Sequence, residues 1–410
     1  MRIIILDCET GVNNVGEDSV GDFKASPYSS ANSIVAYGCK RLGYEGVRII
    51  TKTSYKLVDL LPPHLVGTED YSEVMLVGHN IKFDLLHLLR TGSTAFANEV
   101  WPHVYIWDTM LAEYLITGQS SQYASLDTCA LKYGGVLKDD RIKEYWDAGT
   151  KTEDIPTHLL TDYLKGDVEN TEKVFVGQME IIRKLKMIPL LRTQMAGLKA
   201  TVEMEDNGMH FDRVEAMKLA EEAESEMQTT TDSMRSLLND TNCYSPYFVQ
   251  EIFNINSAEH LGTALCGGDY SYRVKVKELD AFGEVKRFKS GAKMGEVRYK
   301  HEVRNKHTKG MGVVPDPDWT TPSGKMGVGS NVLKDIAARV GVGLEVKEFC
   351  KLVLETRALN KDYKTYYVGY SNLTWADSCI HASLSHVGTD TGRLSCSKPN
   401  LQNATQVEDH

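Results

Sequence analysis

The chain has 410 residues, 42% of them hydrophobic and 9% aromatic, and a formal charge of −10 at pH 7. This is enough apolar residue for a sizeable core and predicts two or three domains. With no apolar run near the length of a membrane span and no secretion-signal pattern at the start, the expectation is a soluble, cytoplasmic protein. Eight cysteines lie scattered without C-x-x-C or zinc spacing, so they read as reduced thiols and exclude a disulfide framework. An evenly spread negative charge would disfavour a polyanionic partner, but the charge is not even. From Ser271 to Gly310 twelve Lys or Arg face five Asp or Glu, a local +7 that leaves −17 on the remainder. An acidic body with a basic segment suits metal chelation in one place and phosphate contact in another.

In chain order, "RIIILD", "SIVAYGCKR" and "VRIITKTSY" are strand candidates short enough to form a meander. "VMLVGHN" and "VYIWDT" are further apolar runs, each leading into a helical pattern, "KFDLLHLLR" and "MLAEYLI". Three strands followed by alternating strand and helix predict a mixed α/β sheet covered by helices. A helix is expected from Pro156 to Arg183, and Pro189 is expected to break the next segment before "LLRTQMAGLKATVEME" resumes and stops at Asn207-Gly208. A domain boundary falls at 185–190. A charged helix follows from Arg213 to Asn239. Residues 270–309 then alternate with period two ("YRVKVKEL", "EVKRF", "EVRYKHEV") between Gly283, Gly291 and Gly295, which is hairpin chemistry. "PDPDWTTPSGKMGVGS" reads as loop, "NVLKDIAARV" and residues 346–373 as helix, and "HASLSHVGTDTGRLSCSKPNLQN" as short strands and turns.

Residues i and i+2 of a strand share a face, so Asp7 and Glu9 form one patch while Cys8 points away into packing. Among 56 acids such a pair also arises by chance at a solvated strand end. Asp84, in the first turn of the helix after "VMLVGHN", belongs at the carboxyl edge of the strands, where α/β sites gather. A dipole-favoured acid would sit there too, and His79 and Asn80 read as helix caps. Tyr163 and Asp167 are four apart and share a helix face. Taken together, Asp7, Glu9, Asp84 and Asp167 form an oxygen-rich set suited to two hard divalent cations, Mg2+ or Mn2+. Two ions about 3.5–4 Å apart clamp the attacking and leaving oxygens of a phosphodiester. A phenol titrates near ~10, so Tyr163 suits orienting the attacking water better than acting as a base.

D-x-E, N-x-x-x-F-D and Y-x-x-x-D in this order resemble the three motifs of DEDDy-type proofreading 3′–5′ exonucleases, supported by "WDTMLAEYLI" and "SLDTCALKYGG". The resemblance covers residues 1–183 and implies a ribonuclease-H-like fold with Asp7, Glu9, Asp84, Tyr163 and Asp167 as catalytic residues. Asp108 and Asp127 read as structural.

The remainder resembles family A DNA polymerases, the class of bacterial DNA polymerase I and many phage replicases. The match rests on "TVEMEDNGMHFD", "FNINSAEHLGTAL" and above all "TDTGRLSCSKPNLQN". The last stretch implies primer–template minor-groove contact by Arg393, Asn400, Gln402 and Asn403. The minor groove presents acceptors at every base pair, so such residues check geometry without reading sequence; a loop-pinning role for Arg393 is the bland alternative. Lys361 and Lys364 are phosphate candidates, and the basic segment implies non-specific duplex contact. The resemblance sets out an exonuclease domain at 1–185, a connecting helix at 186–212 and a thumb at 213–375 with a β-hairpin insertion at about 269–320. The start of the palm falls at 376–410. The palm aspartates, fingers helix and His-Asp-Glu turn are not in the sequence, so the expectation is a fragment or a split polymerase whose second polypeptide carries palm and fingers. Expected partners are a single-stranded 3′ end and a primer–template duplex, in the host cytoplasm if phage-encoded. Two other readings stay open: a DNA-holding processivity subunit with an inactive nuclease, and a free-standing 3′–5′ exonuclease.

Overall fold

The computed structural model describes residues 1–11, 25–29, 32–51, 73–91, 96–137, 141–321 and 326–404. Positions 52–55 of the third predicted strand lie outside that set. The aliphatic start of the chain forms β1 (Arg2–Thr10), in which Ile4, Ile5 and Leu6 are wholly buried. It pairs antiparallel with β2 (Ile34–Arg41), and β2 pairs antiparallel with β3 (Arg48–Thr51). On its other side β1 runs parallel to β4 (Val74–Gly78), and β4 parallel to β5 (Tyr105–Asp108). The order is β3-β2-β1-β4-β5, a mixed sheet.

Parallel neighbours require crossover connections, and α1 (Ile81–Thr91) begins the one after β4. Immediately after β5, α2 (Thr109–Ile116) is capped by Asp108, whose Oδ1 accepts from the Met110 and Leu111 amides at 2.8 and 3.4 Å. Asp108 therefore has the structural role expected of it, and burial raises its carboxyl to about 6. Next come two short helices, α3 (Leu126–Lys132), capped by Ser125, and α4 (Arg141–Asp147); Asp127 sits in the first turn of α3. The 28-residue α5 (Thr157–Lys184) buries Leu160, Leu164, Val168, Thr171, Phe175, Gln178 and Ile182, a three-and-four spacing that lays one stripe on the sheet. Pro189 does not break the next helix. It stands in the first turn of α6 (Ile188–Asn207), where a missing N–H costs nothing, and the helix stops at Gly208 with φ +64°.

By contact density the chain forms two compact units: residues 1–213 together with 370–410, and residues 214–369. In the first, β9 (Cys379–Ile380) pairs with β6 (Met209–His210), and β10 (Ser383–Ser385) pairs with β11 (Ser395–Ser397). Ion pairs fasten this returning segment: Arg90 reaches Asp206 at 2.7 Å and Asp377 at 3.1 Å. Glu205, paired with Lys82 at 2.6 Å, also accepts the Leu384 amide at 2.6 Å. Buried His381 stacks on Tyr28 with centroids 3.8 Å apart.

His87, wholly buried in this unit, sets Nε2 3.1 Å from the Ala25 carbonyl oxygen. Burial lowers its pKa to about 4. An unfolded histidine titrates near ~6.5, so the unfolded chain binds the extra proton between those values. Stability is full above the upper value and falls as pH drops through the window. His87→Gln should flatten the slope of Tm against pH there; identical slopes for both proteins would refute the assignment.

In the second unit, α7 (Arg213–Asp240), α8 (Pro246–Glu251), α9 (Ala258–Cys266), α10 (Ser330–Ala338) and α11 (Leu344–Lys361) surround an aromatic core. The predicted loop around Trp319 is partly ordered structure: residues 317–319 form a 3-10 turn, and the buried Trp319 donates Nε1–H to Asp335 at 2.7 Å. The alternating basic segment forms β7 (Gly268–Lys277) and β8 (Tyr299–Thr308), a ten-pair antiparallel ladder. Among the described residues no helix is long and apolar enough to cross a membrane.

Candidate metal centre

The site begins at the carboxyl half of β1. Asp7 and Glu9 project to one side, and Cys8 between them joins the buried core as expected. Across the ladder Asp7 faces Gly38 and Glu9 faces Ala36. Opposed residues share a face, so only small neighbours flank the two acids on β2. The glycine is required by close approach: a Cβ at position 38 would lie 2.9 Å from Leu164 Cγ and 3.2 Å from Val168 Cγ2. The bare backbone of Gly38 thus lets α5 settle on this face of the sheet. Asp167, beside Val168 on α5, then converges with the strand acids. Ligand oxygens of Asp7, Glu9 and Asp167 all lie within 4.8 Å of one another.

The fourth predicted acid joins by a different route. Asp84, in the first turn of α1, accepts the Cys8 amide through Oδ1 at 2.9 Å. It therefore hangs on the peptide linking Asp7 to Cys8. Asp84 is buried, and burial drives its carboxyl well above the usual carboxylate range, against the opposing pull of the Cys8 N–H. Cys8, likewise buried, has its thiol pushed up by burial and by Asp84 and Asp7. Glu9, Asp84 and Asp167 are 9%, 3% and 3% exposed. Gathering anionic oxygens where water is scarce is costly unless cations join them. The all-oxygen donor set fits hard divalent ions such as Mg2+ or Mn2+ rather than zinc or copper.

Tyr163 stands one turn before Asp167 on α5, half-buried, its ring edge-on to Trp146 at 5.8 Å and 88°. His79 and Asn80 do not act as the expected caps. His79 spans Thr109 Oγ1 and the Ala124 carbonyl, each at 2.9 Å, and so ties β4 to α2 and the approach to α3. Asn80 adopts φ +57°, outside the extended conformation of an N-cap, and gives its amide to Asp108 at 3.0 Å.

The residues expected on DNA lie elsewhere. Arg393 is exposed between β10 and β11, with its carbonyl accepting Thr389 Oγ1 at 2.9 Å. Asn400 Oδ1 accepts the Gln402 amide at 3.1 Å, and Gln402 Nε2 donates to the Leu394 carbonyl at 3.0 Å. Asn403 is exposed beside them. Lys361 belongs to the other unit, at the end of α11, with Nζ 5.8 Å from the Tyr366 ring centroid. The residue missed from sequence is Gly38. Its signal was a glycine inside the bulky strand "IVAYGCKR", a position that marks close backbone approach.

This architecture defines a mixed α/β protein with a carboxylate cluster built on the central strand of its sheet. Comparison with known proteins narrows the class. Residues 316–409 match the DNA polymerase family A model. The DNA polymerase of Bacillus phage SP01 is 24% identical over 425 aligned residues, covering 97% of this chain and 42% of that protein. DNA polymerase I of Helicobacter pylori is 48% identical over 52 residues, 13% of this chain and 6% of that protein. Among solved structures, the POL domain of Pol1 from M. smegmatis, in complex with DNA primer-template and dNTP, aligns with a TM-score of 0.57 at 16% identity. That alignment covers 99% of this chain and 53% of the other, and it speaks to fold. The chain is thus similar to family A DNA polymerases, carries a segment that matches the family, and spans 42% of its phage relative.

Proposed function

We propose that this chain is the exonuclease-and-thumb portion of a family A DNA polymerase and removes nucleotides from DNA 3′ ends with two divalent metal ions. The observation that carries this reading is the convergence of Asp7, Glu9 and Asp167, with Asp84 bonded to the peptide between the first two acids. Residues 1–185 form the ribonuclease-H-like nuclease, 186–212 the connecting helix, 213–375 the thumb with its insertion, and 376–410 the start of the palm. The working compartment is the cytoplasm.

Asp7, Glu9 and Asp167, with Asp84 beside them, would hold the cations. When bound, the ions supply a water nucleophile near neutral pH and offset the charge of the phosphodiester. The Tyr163 hydroxyl orients that water, and the edge of Trp146 fixes the ring that bears it. Arg393, Asn400, Gln402 and Asn403 face the primer–template duplex, and Lys361 contributes a phosphate contact.

The test is the shortening of a single-stranded oligonucleotide from its 3′ end in Mg2+, stopped by EDTA. An unshortened strand would sink the nuclease and favour the DNA-holding subunit instead. Gly38 acts as a positioning residue. Gly38→Val should destabilise by about 1–3 kcal/mol through overpacking, and shifting Asp167 should slow cleavage by up to about 100-fold. Gly38→Ala should fall between. A valine variant that melts lower yet cleaves at the wild-type rate would deny the positioning role.

A further inference from the structure

Beyond Lys277 and before Tyr299 the hairpin does not close in one turn. The Glu278 amide donates to the Arg298 carbonyl, Arg298 to Lys286 and Lys286 to Glu278, each at 2.8 Å. Three short segments therefore bond in a closed triangle, with bridges between Leu279 and Val285 and between Arg287 and Val297. Two turns project from this rigid tip. In the first, Asp280 Oδ1 accepts the Phe282 and Glu284 amides at 2.9 Å, and Gly283 takes φ +84°. Phe282 is thereby presented 92% exposed. In the second, the Met294 amide returns to the Gly291 carbonyl at 3.0 Å, and Met294 is 73% exposed. The acid Glu278 is neutralised by Lys286 at 2.8 Å and Arg298 at 3.2 Å. Arg287, Lys289 and Lys293 are exposed in the tip, as are Glu284 and Glu296.

We propose that this tip is a single-stranded DNA contact, in which Phe282 and Met294 stack on unpaired bases while the exposed cations of the β7–β8 strands meet the phosphates. The inference rests on the DNA-binding part of the function proposed above and not on its nuclease part. Two properties select the occupant. Of the net +7 on residues 271–310, the stretches 271–277 and 299–310 hold +6 and the tip 278–298 only +1, so a polyanion is called for along the strands that lead to the tip. A phenyl ring held almost wholly in water gains nothing from phosphates, and a duplex keeps its bases stacked on one another. Unpaired bases offer both charge and open π-faces, and aromatic stacking on them is sequence-tolerant.

The test uses the full chain in EDTA, where metal-dependent cleavage cannot occur. Binding of a labelled oligothymidylate of about 20 nucleotides and of a blunt duplex of like length is followed by anisotropy. Phe282→Ala should weaken the single strand about tenfold and the duplex less than twofold. Phe282→Trp should retain affinity, with its emission quenched as bases stack on it. Because position 282 is exposed, circular dichroism of the variants should match wild type. Equal losses on both nucleic acids would make this a duplex contact, and unchanged binding of both by Phe282→Ala would leave the tip to a protein partner; either result overturns the inference. Wild-type protein that binds neither nucleic acid overturns the DNA-binding reading as well.

Discussion

Asp7→Ala combined with Glu9→Ala is expected to lower 3′–5′ cleavage by at least about 1,000-fold. Metal ions supply several kcal/mol of transition-state stabilisation, and each ~1.4 kcal/mol is a factor of ten. The two residues provide two of the three carboxylates that lie within 4.8 Å, so the variant keeps too few ligands to position the cations. The fold should survive. Asp7 and Glu9 lie in the carboxyl half of β1, whose apolar packing comes from Ile4, Ile5, Leu6 and Cys8. Removing clustered acids also relieves repulsion, so in metal-free buffer the variant should melt no lower than wild type. The readout is loss of label from a 3′-labelled single strand, with melting followed in parallel. Wild-type rates in the variant would end the nuclease assignment; a collapsed Tm would make the loss uninformative and call for Asp7→Asn instead.

The second large effect belongs to the other unit. Phe248 is 1% exposed and touches the rings of Tyr244, Tyr270 and Tyr272 at centroid distances of 4.7, 4.6 and 5.3 Å. His260 adds an edge contact at 5.1 Å. Phe248→Ala should cost about 3–5 kcal/mol through lost burial and the cavity left behind, a large share of the ~5–15 kcal/mol that holds a typical domain. Phe248→Leu should recover much of it. Denaturant midpoints measure both variants; a loss under about 1 kcal/mol would mean that this aromatic cluster is not the core of residues 214–369. Tyr270 and Tyr272 lie at the base of β7, so the variant should also loosen the root of the basic hairpin. Its expected signature is faster amide exchange in β7 and β8.

Much of the candidate site was legible because its residues obey local periods. Two residues along a strand put Asp7 with Glu9, and four along a helix put Tyr163 with Asp167. The basic hairpin was equally readable, since alternation from Tyr272 to Leu279 and from Glu296 to Val303 has one natural partner arrangement. The misreadings arose where a local rule met a tertiary demand. Pro189 resembles a break only if α6 is started one turn too late. Asn80 and His79 resemble caps, but β5 and α2 offer Asp108 and Thr109, partners about thirty residues on that a capping rule cannot see. Trp319 sits among prolines and polar residues, yet the core of its unit has room for an indole beside Asp335.

By itself, then, the sequence determined which residues share a face, where a basic hairpin arises and which acids could form a metal set. Only the tertiary structure decided that the set closes. Closure depends on α5 approaching β2 at Gly38, and an absent side chain exerts no periodic signal. The same holds for residues 370–404, which return to the first unit through contacts such as Arg90–Asp377, 287 positions apart in the chain. Periodicity reports the face a residue occupies, whereas packing volume and long-range ion pairing select which faces meet.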